Sequence, residues 1–558
     1  MRERAVDVTD SVDGIGSDGP ILTVSATPAG IATALTHLSD LTRTTDAARS
    51  HPDARPHPPL VSVSDRTHVP PVLRLCRPTT GVEFRLPPTR EYLFVAAPLA
   101  YYLGATVTLA DDESATPRLL TPGVEHDLNA LPAFQTDVAD LLRHVFFLDC
   151  LVRERQGEAF ACWRDALPEY GLCPLSLSDA PLAARLEAYL DVPPETFEDC
   201  WPEWHLATYA DPTAESLACL PYLLDSLSLI YLPEWSDIDA QGLLRRSLDD
   251  FFRAPTGPIA SVDVVDPELQ AGELHAWLAE GVPVSAFTLS RSAFENRFAA
   301  PPPNDTLDVS VVLNDDAMEG EHEVVARTYR ERSAGTPADV TVHESLSVDE
   351  LARLLESPCD FVHYIGHCEV GGLQCSDGGL DCESLSQSGV RTFFLNACGS
   401  YHQGRALVER GSVAGAVTLR TVLNRPAATV GTTFARLLMC GFGIERAMQL
   451  ARRQIMMSTD YAVVGDGTYS LTDAEPAVVH LDATDDGYDL TYTIPADGRV
   501  GDGFRAPFET CRRLRGTTAE TSLDREAVVE FLKDRDVPVI YDGNLHLSDT
   551  LADALKMA

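Results

Sequence analysis

Lysine is almost missing from this chain of 558 residues: Lys533 and Lys556 are the two present, and arginine supplies the rest of the basic side chains. Positive charge is scarce overall, with 43 Lys and Arg against 84 Asp and Glu, a net charge of −41. That balance excludes a general binder of DNA, RNA or anionic lipid, because phosphate would be repelled. Long apolar runs are also absent. Those such as Tyr92 to Leu103 end well short of the ~20 residues that cross a bilayer, so no membrane partner is expected. The first residues lack the basic, apolar and small-residue order of a secretion signal. A cytoplasmic location with reduced thiols is therefore expected. The 13 cysteines contain no CxxC and no regular spacing, which speaks against a disulfide framework. No GxxxxGK[ST] loop is present and no GxGxxG follows a strand, so nucleotide hydrolysis is not indicated.

What is present is enough apolar residue, 45%, to build ordinary cores. At roughly 150 residues per domain the length suggests two to four domains. The acids are spread along the whole chain. That distribution resembles proteins of halophilic archaea, whose cytoplasm is salt-filled. At molar salt the Debye length is about 3 Å, so surface carboxylates repel one another little. The charge then reports on solvent more than on a partner.

Five regions are expected. Residues 1–20 read as a flexible start. Residues 21–235 read as an α+β region, with strands at Ile21–Ser25 and Ala105–Leu109. Its helices are expected near Tyr92–Leu103, Asp137–Arg155, Pro181–Leu190 and Ser216–Leu232. Residues 236–303 read as a small α/β unit ending in a Pro-rich linker. Its elements are a strand near Ile259–Val265, a helix near Pro267–Ala279 and a strand near Val282–Leu289. Residues 304–484 alternate strands with helices, the pattern of a mostly parallel sheet with helices on its faces. Strands are expected at Asp308–Asn314, Asp339–Glu344, Asp360–His367, Arg391–Cys398, Ser412–Leu419 and Tyr461–Val464. Helices are expected at Glu321–Arg332, Ser347–Glu356, Thr432–Cys440 and Ile444–Met456. Ser347 and Glu350 have capping-box spacing. Residues 485–558 form an extension, with a β-like stretch Tyr488–Ile494 and a helix Asp524–Lys533.

In open parallel sheets the working groups sit at the carboxyl ends of strands. Here one strand, FVHYIGH, closes on His367, and another, TFFLNAC, closes on Cys398. If the strands are neighbours, thiol and imidazole meet at one edge, as nucleophilic catalysis requires. Gly366 and Gly399 let the chain turn beside each. His363, two strand steps below His367, reads as a packed residue. A zinc site built from His363, His367, Cys368, Cys375 and Cys382 matches no usual ligand spacing, so no metal and no cofactor are expected.

The succession FVHYIGH, FFLNAC, ALVERGSVAGAV, FARLLMCGFGIERAMQLARRQ and YAVVGDG resembles a CHAT domain, a caspase-like cysteine peptidase of clan CD. The resemblance covers about residues 305–475. It implies a caspase-like fold with a mostly parallel six-stranded sheet flanked by helices. It implies Cys398 as nucleophile, His367 as general acid/base, and an oxyanion hole from backbone N–H groups near Gly366, Cys368 and Cys398. The expected partner is a protein or peptide substrate, with a regulatory protein or ligand acting on the N-terminal region. Two residues depart from the family pattern. Cys368 stands where Gly usually follows the catalytic His. Asn396, a candidate substrate-binding residue, stands where Arg-specific relatives carry an acid; Asp377 and Asp381 are the nearby acids. The alternative is an inactive signalling or scaffold protein with the same fold.

Overall fold

Apolar stretches of seven residues make the longest strands, and most of their residues are buried, as in a sheet covered on both faces. The computed structural model describes residues 19–153, 160–237, 262–301, 306–314, 337–419, 424–453, 460–497, 499–533 and 535–557. The expected helix Glu321–Arg332 and the flexible start, residues 1–18, lie outside them.

Among the described residues, ten strands form the central sheet. In chain order they are β1 (Ala207–Ala210), β2 (Leu229–Tyr231), β3 (His275–Leu278), β4 (Phe287–Thr288), β5 (Leu307–Leu313), β6 (Ala338–Glu344), β7 (Cys359–Ile365), β8 (Val390–Asn396), β9 (Ala414–Thr418) and β10 (Tyr461–Gly465). Their order across the sheet is β6-β5-β7-β8-β9-β10-β4-β3-β1-β2. Strands β5 to β9 run parallel to one another, and β10 runs antiparallel to β9. Strands β4, β3, β1 and β2 then continue parallel to β10. The sheet therefore does not stop at six strands. Four more join it through the single pairing of Thr288 with Val464.

Helices cover both faces of the β5–β10 half. On one side lie α1 (Val348–Glu356) and α2 (Tyr401–Arg410), which pack with Val362, Tyr364, Phe393 and Val417. On the other lie α3 (Asn424–Met439) and α4 (Ile444–Arg452), which pack with Phe361, Ile365, Phe394 and Val463. The alternation of these residues along β7 and β8 is the two-residue period of a strand. The α1 capping box is formed, with Ser347 N–H donating to Glu350 Oε2 at 2.9 Å.

Three sequence expectations fail for local reasons. The strand expected near Val282–Leu289 is split into Val282–Pro283 and β4, which lie in different sheets, with Ser285 at φ 63° between them. The stretch Pro267–Ala279 is not helical; it holds the end of a strand, Val264–Pro267, and all of β3. In β3 the consecutive residues Ala276 and Trp277 are both fully buried, one on each face, so the apolar spacing carries no period. The expected helix Ser216–Leu232 ends early, at Asp225. Leu227 then takes a left-handed φ of 52°, and the chain enters β2.

The remaining regions build around their own apolar runs. Ala133–Arg153 is the long helix expected there. Beside it, Asp149 accepts from Arg185 Nε at 2.8 Å, Tyr102 hydroxyl at 2.8 Å and Tyr189 hydroxyl at 3.0 Å. That fully buried carboxylate is thereby paired and hydrogen-bonded, as a buried charge must be. The C-terminal extension is a five-stranded sheet that includes Tyr488–Thr493. Its helix Arg525–Leu532 is capped by Asp524, which accepts from Ala527 N–H at 2.8 Å. Among the described residues, no helix is long and apolar enough to cross a membrane.

Candidate active site

β7 and β8 are adjacent, parallel and in a register that sets Ile365 opposite Asn396. His367 and Cys398 each follow two residues later, at the same edge of the sheet. β7 also flanks the point where the strand order reverses, between β5 and β7, where an open parallel sheet leaves a crevice at its carboxyl edge.

The backbone at His367 is fixed from below. The Tyr364 hydroxyl lies 3.1 Å from the His367 carbonyl and 2.6 Å from that of Gln374. Gln374 N–H donates to the same His367 carbonyl at 2.9 Å. A Cβ at Gly366 would sit 2.8 Å from the Tyr364 hydroxyl, so this anchor needs glycine there. Asn314, just past β5, ties in the neighbouring loops. Its Nδ2 donates to Leu346 O at 3.3 Å and Gln374 O at 3.1 Å, and its Oδ1 accepts from Leu346 N–H at 2.8 Å.

The turn at Cys398 is equally tied down. Gly399 has φ +69°, the left-handed region that favours glycine. Ser400 Oγ donates to Leu395 O at 2.9 Å and accepts from Thr418 N–H at 3.1 Å. Thr418 Oγ1 donates to the Ala397 carbonyl. Cys398 is 4% exposed and packs in the cluster that holds Phe394 and Phe434. His367 is half-buried.

Of the two residues flanking His367, Gly366 donates its N–H to Asn396 O at 3.5 Å. Cys368 begins a short antiparallel strand, Cys368–Glu369, that pairs with Gly372–Cys375. With Gly378–Leu380 these form a three-stranded sheet. The Cys368 Sγ lies 3.9 Å from Gly399 O. Burial pushes its thiol up to about 12, and the neighbouring Cys398 thiol, Glu369 and Asp381 add to the shift. Cys368 is thus an un-ionised thiol beside the Cys398 turn.

Asn396 is completely buried. The two nearby acids serve the backbone: Asp377 Oδ1 accepts from Val348 N–H at 2.8 Å, and Asp381 Oδ1 from Glu383 N–H at 3.1 Å. His363 is fully buried against Phe394, with ring centroids 4.8 Å apart. Burial pulls its imidazole down to about 3, so it is neutral and packed, as the sequence suggests. Asp466, in the GDG turn after β10, sits at the opposite edge of the sheet and pairs with Arg297 at 2.6 Å. Among the described residues, no group of three or more His, Cys, Asp or Glu side chains is placed to hold a metal ion.

Sequence reasoning does not reach Tyr364, Asn314, Ser400 or Thr418. Each acts through hydrogen bonds to backbone groups, from 3 residues away for Tyr364 to 60 for Asn314, and no spacing signals that. The one cue is polarity: a tyrosine inside a buried strand needs a partner for its hydroxyl.

No family model matches the chain, and no curated protein does. Among solved structures, the Saccharomyces cerevisiae separase–securin complex aligns at 12% identity over 36% of this chain and 16% of that chain, with a TM-score of 0.25. The Arg-specific cysteine proteinase gingipain R aligns at 10% identity over 58% of this chain and 98% of that one, with a TM-score of 0.35. The complex of Porphyromonas gingivalis RgpB pro- and mature domains aligns at 9% over 57% and 99%, with a TM-score of 0.33. Likenesses this shallow transfer no residue role and no activity to this chain.

Proposed function

We propose that the chain is a cysteine peptidase of the caspase-like, CHAT type, working through Cys398 and His367. The observation that carries this reading is the register of β7 and β8. With Ile365 opposite Asn396, the same two-residue step brings His367 and Cys398 to one level of one edge. The order of elements also follows the one the sequence resemblance implies. A strand leads to His367 and a strand to Cys398; then come α2, β9, the α3–α4 pair, and β10 with its Gly-Asp turn.

In this reading the Cys398 thiolate attacks a peptide carbonyl and forms a C–S bond. Backbone N–H groups of the 366–368 turn and of Cys398 receive the oxyanion. Gly366 N–H is already turned to Asn396 at 3.5 Å, so the better donors are its neighbours. The C–N bond breaks as His367 delivers a proton to the leaving amine. Water then hydrolyses the thioester, returning the thiol and releasing a carboxylate. Asn396, two residues before Cys398, is neutral and completely buried, so nothing at that position favours an arginine side chain. The target is a polypeptide, and the N-terminal region controls access.

One observation favours the second reading, an inactive scaffold: Cys398 is 4% exposed, beside the buried thiol of Cys368. A degenerate peptide library in molar KCl separates the two. Cleavage by the wild-type chain that is lost in Cys398→Ala supports the peptidase. No cleavage by either, with the fold intact, favours the scaffold.

A further inference from the structure

A cleft of about 540 Å³ opens beside the start of β10. Its walls include Glu273, His275, Gln449, Arg452, Arg453 and Tyr461. The volume is ordinary for a small-ligand site. Tyr461 pairs with Thr418 at the end of β9, so the cleft shares the sheet edge of Cys398, about 10 Å away at two strand spacings.

Arg452 gives the cleft its chemistry. It is 7% exposed. Its one ionic partner among the described residues is Glu445, at 3.9 Å, beyond hydrogen-bond reach. Its Nε is buried and has no acceptor. Burial pulls the guanidinium down from its ordinary value, yet arginine stays charged in proteins. A buried cation so poorly paired is costly unless something else satisfies it.

A second group on the wall is in the same condition. His275 Nδ1 is buried without a partner. Burial, and then Arg446, pull its imidazole down to about 4, so it is neutral at pH 7. Glu445 is itself fully buried, and burial pushes its carboxyl up, so it offsets the Arg452 charge only in part. Arg446 is held by Glu273 at 2.5 Å and Asp497 at 3.2 Å. Arg453 is exposed at the mouth.

We propose that this cleft binds a carboxylate, received by the Arg452 guanidinium and the His275 imidazole, with Arg453 drawing it in. A guanidinium fork matches a carboxylate with two parallel hydrogen bonds. The carboxylate comes from an acidic side chain of a polypeptide or from a free small dicarboxylate. The proposal stands whether or not Cys398 is catalytic.

The test is isothermal titration of the full chain with glutarate, with the peptide acetyl-Ala-Glu-Ala-amide, and with its Gln counterpart. Glutarate or the Glu peptide is expected to bind, and the Gln peptide not to. Binding of glutarate alone assigns the free small acid as the source; binding of the Glu peptide assigns a polypeptide side chain. Arg452→Met keeps the buried stem and is expected to weaken binding at least tenfold. Arg453→Gln changes an exposed side chain, leaves folding intact, and is expected to weaken it about threefold by removing a charge at the mouth. The proposal is overturned if neither carboxylate binds, if the Gln peptide binds as well as the Glu peptide, or if both variants bind like wild type.

Discussion

Ile365 and Asn396 face each other across two parallel strands, and everything proposed for catalysis hangs on that pairing. A slip of one residue would send one of the two reactive side chains to the other face of the sheet. The register is held by a continuous run of pairs from Phe361 with Thr392 to Ile365 with Asn396. It is held again beyond the strand ends, by Tyr364 on one side and by Ser400 with Thr418 on the other.

Tyr364→Phe removes the hydroxyl that lies on the His367 and Gln374 carbonyls. About 1 kcal/mol of stability should be lost with it. The rate of peptide cleavage should fall roughly tenfold or more, because a shift of the His367 backbone misplaces the imidazole. Denaturant unfolding and kcat/KM, measured on the same preparation, check this. An unchanged rate would mean that Tyr364 holds the turn but not the catalytic geometry.

Gly399→Ala places a Cβ at φ +69°. The left-handed backbone then costs about 1–2 kcal/mol. Thermal unfolding should show that loss, and labelling of Cys398 by a thiol probe should slow. A glycine turn unrelated to function would show the first effect without the second.

Cys368 is expected to be silent as a nucleophile. Its thiol is buried and pushed up to about 12, so little thiolate exists at pH 8. Iodoacetamide followed by peptide mapping should leave Cys368 unmodified in the folded chain while exposed Cys76 and Cys173 react. Rapid modification of Cys368 would contradict this placement.

His363 makes a pH prediction. Its imidazole is pulled from 6.5 to about 3 in the fold. The folded chain therefore stays neutral there while the unfolded chain takes up a proton below about pH 6.5. The stability tied to this group is present above that pH and is lost as pH falls toward 3. Compared with His363→Leu, the wild-type unfolding free energy should drop by about 1.4 kcal/mol more per pH unit between pH 6 and pH 4. Equal slopes for the two proteins would contradict a neutral, buried His363.

Much of the β5–β10 half was legible in the sequence. Its strands are short apolar runs bounded by turn residues, and the capping box at Ser347 and Glu350 marked a helix start. The four added strands were harder. β3 is four residues long and buried on both faces, so His275–Leu278 offers no alternation to read. At Leu227, a left-handed leucine breaks the apolar run where no Gly or Pro announces it. At the site, the sequence pointed to His367 and Cys398 through the ends of two strands. It could not show that those strands are neighbours, because adjacency in a sheet is set by long-range packing. Arg452 closes α4, and nothing in the spacing of that helix sets it apart. Its burial beside a cleft is visible only in three dimensions.

The most direct test of the central reading is covalent labelling with a peptidyl acyloxymethyl ketone in molar KCl, with the adduct located by mass spectrometry. The account predicts one dominant adduct, on Cys398, absent from Cys398→Ala and formed at least roughly tenfold more slowly by His367→Gln. Equal labelling of wild type and Cys398→Ala, or an adduct confined to the exposed Cys76 and Cys173, would contradict it.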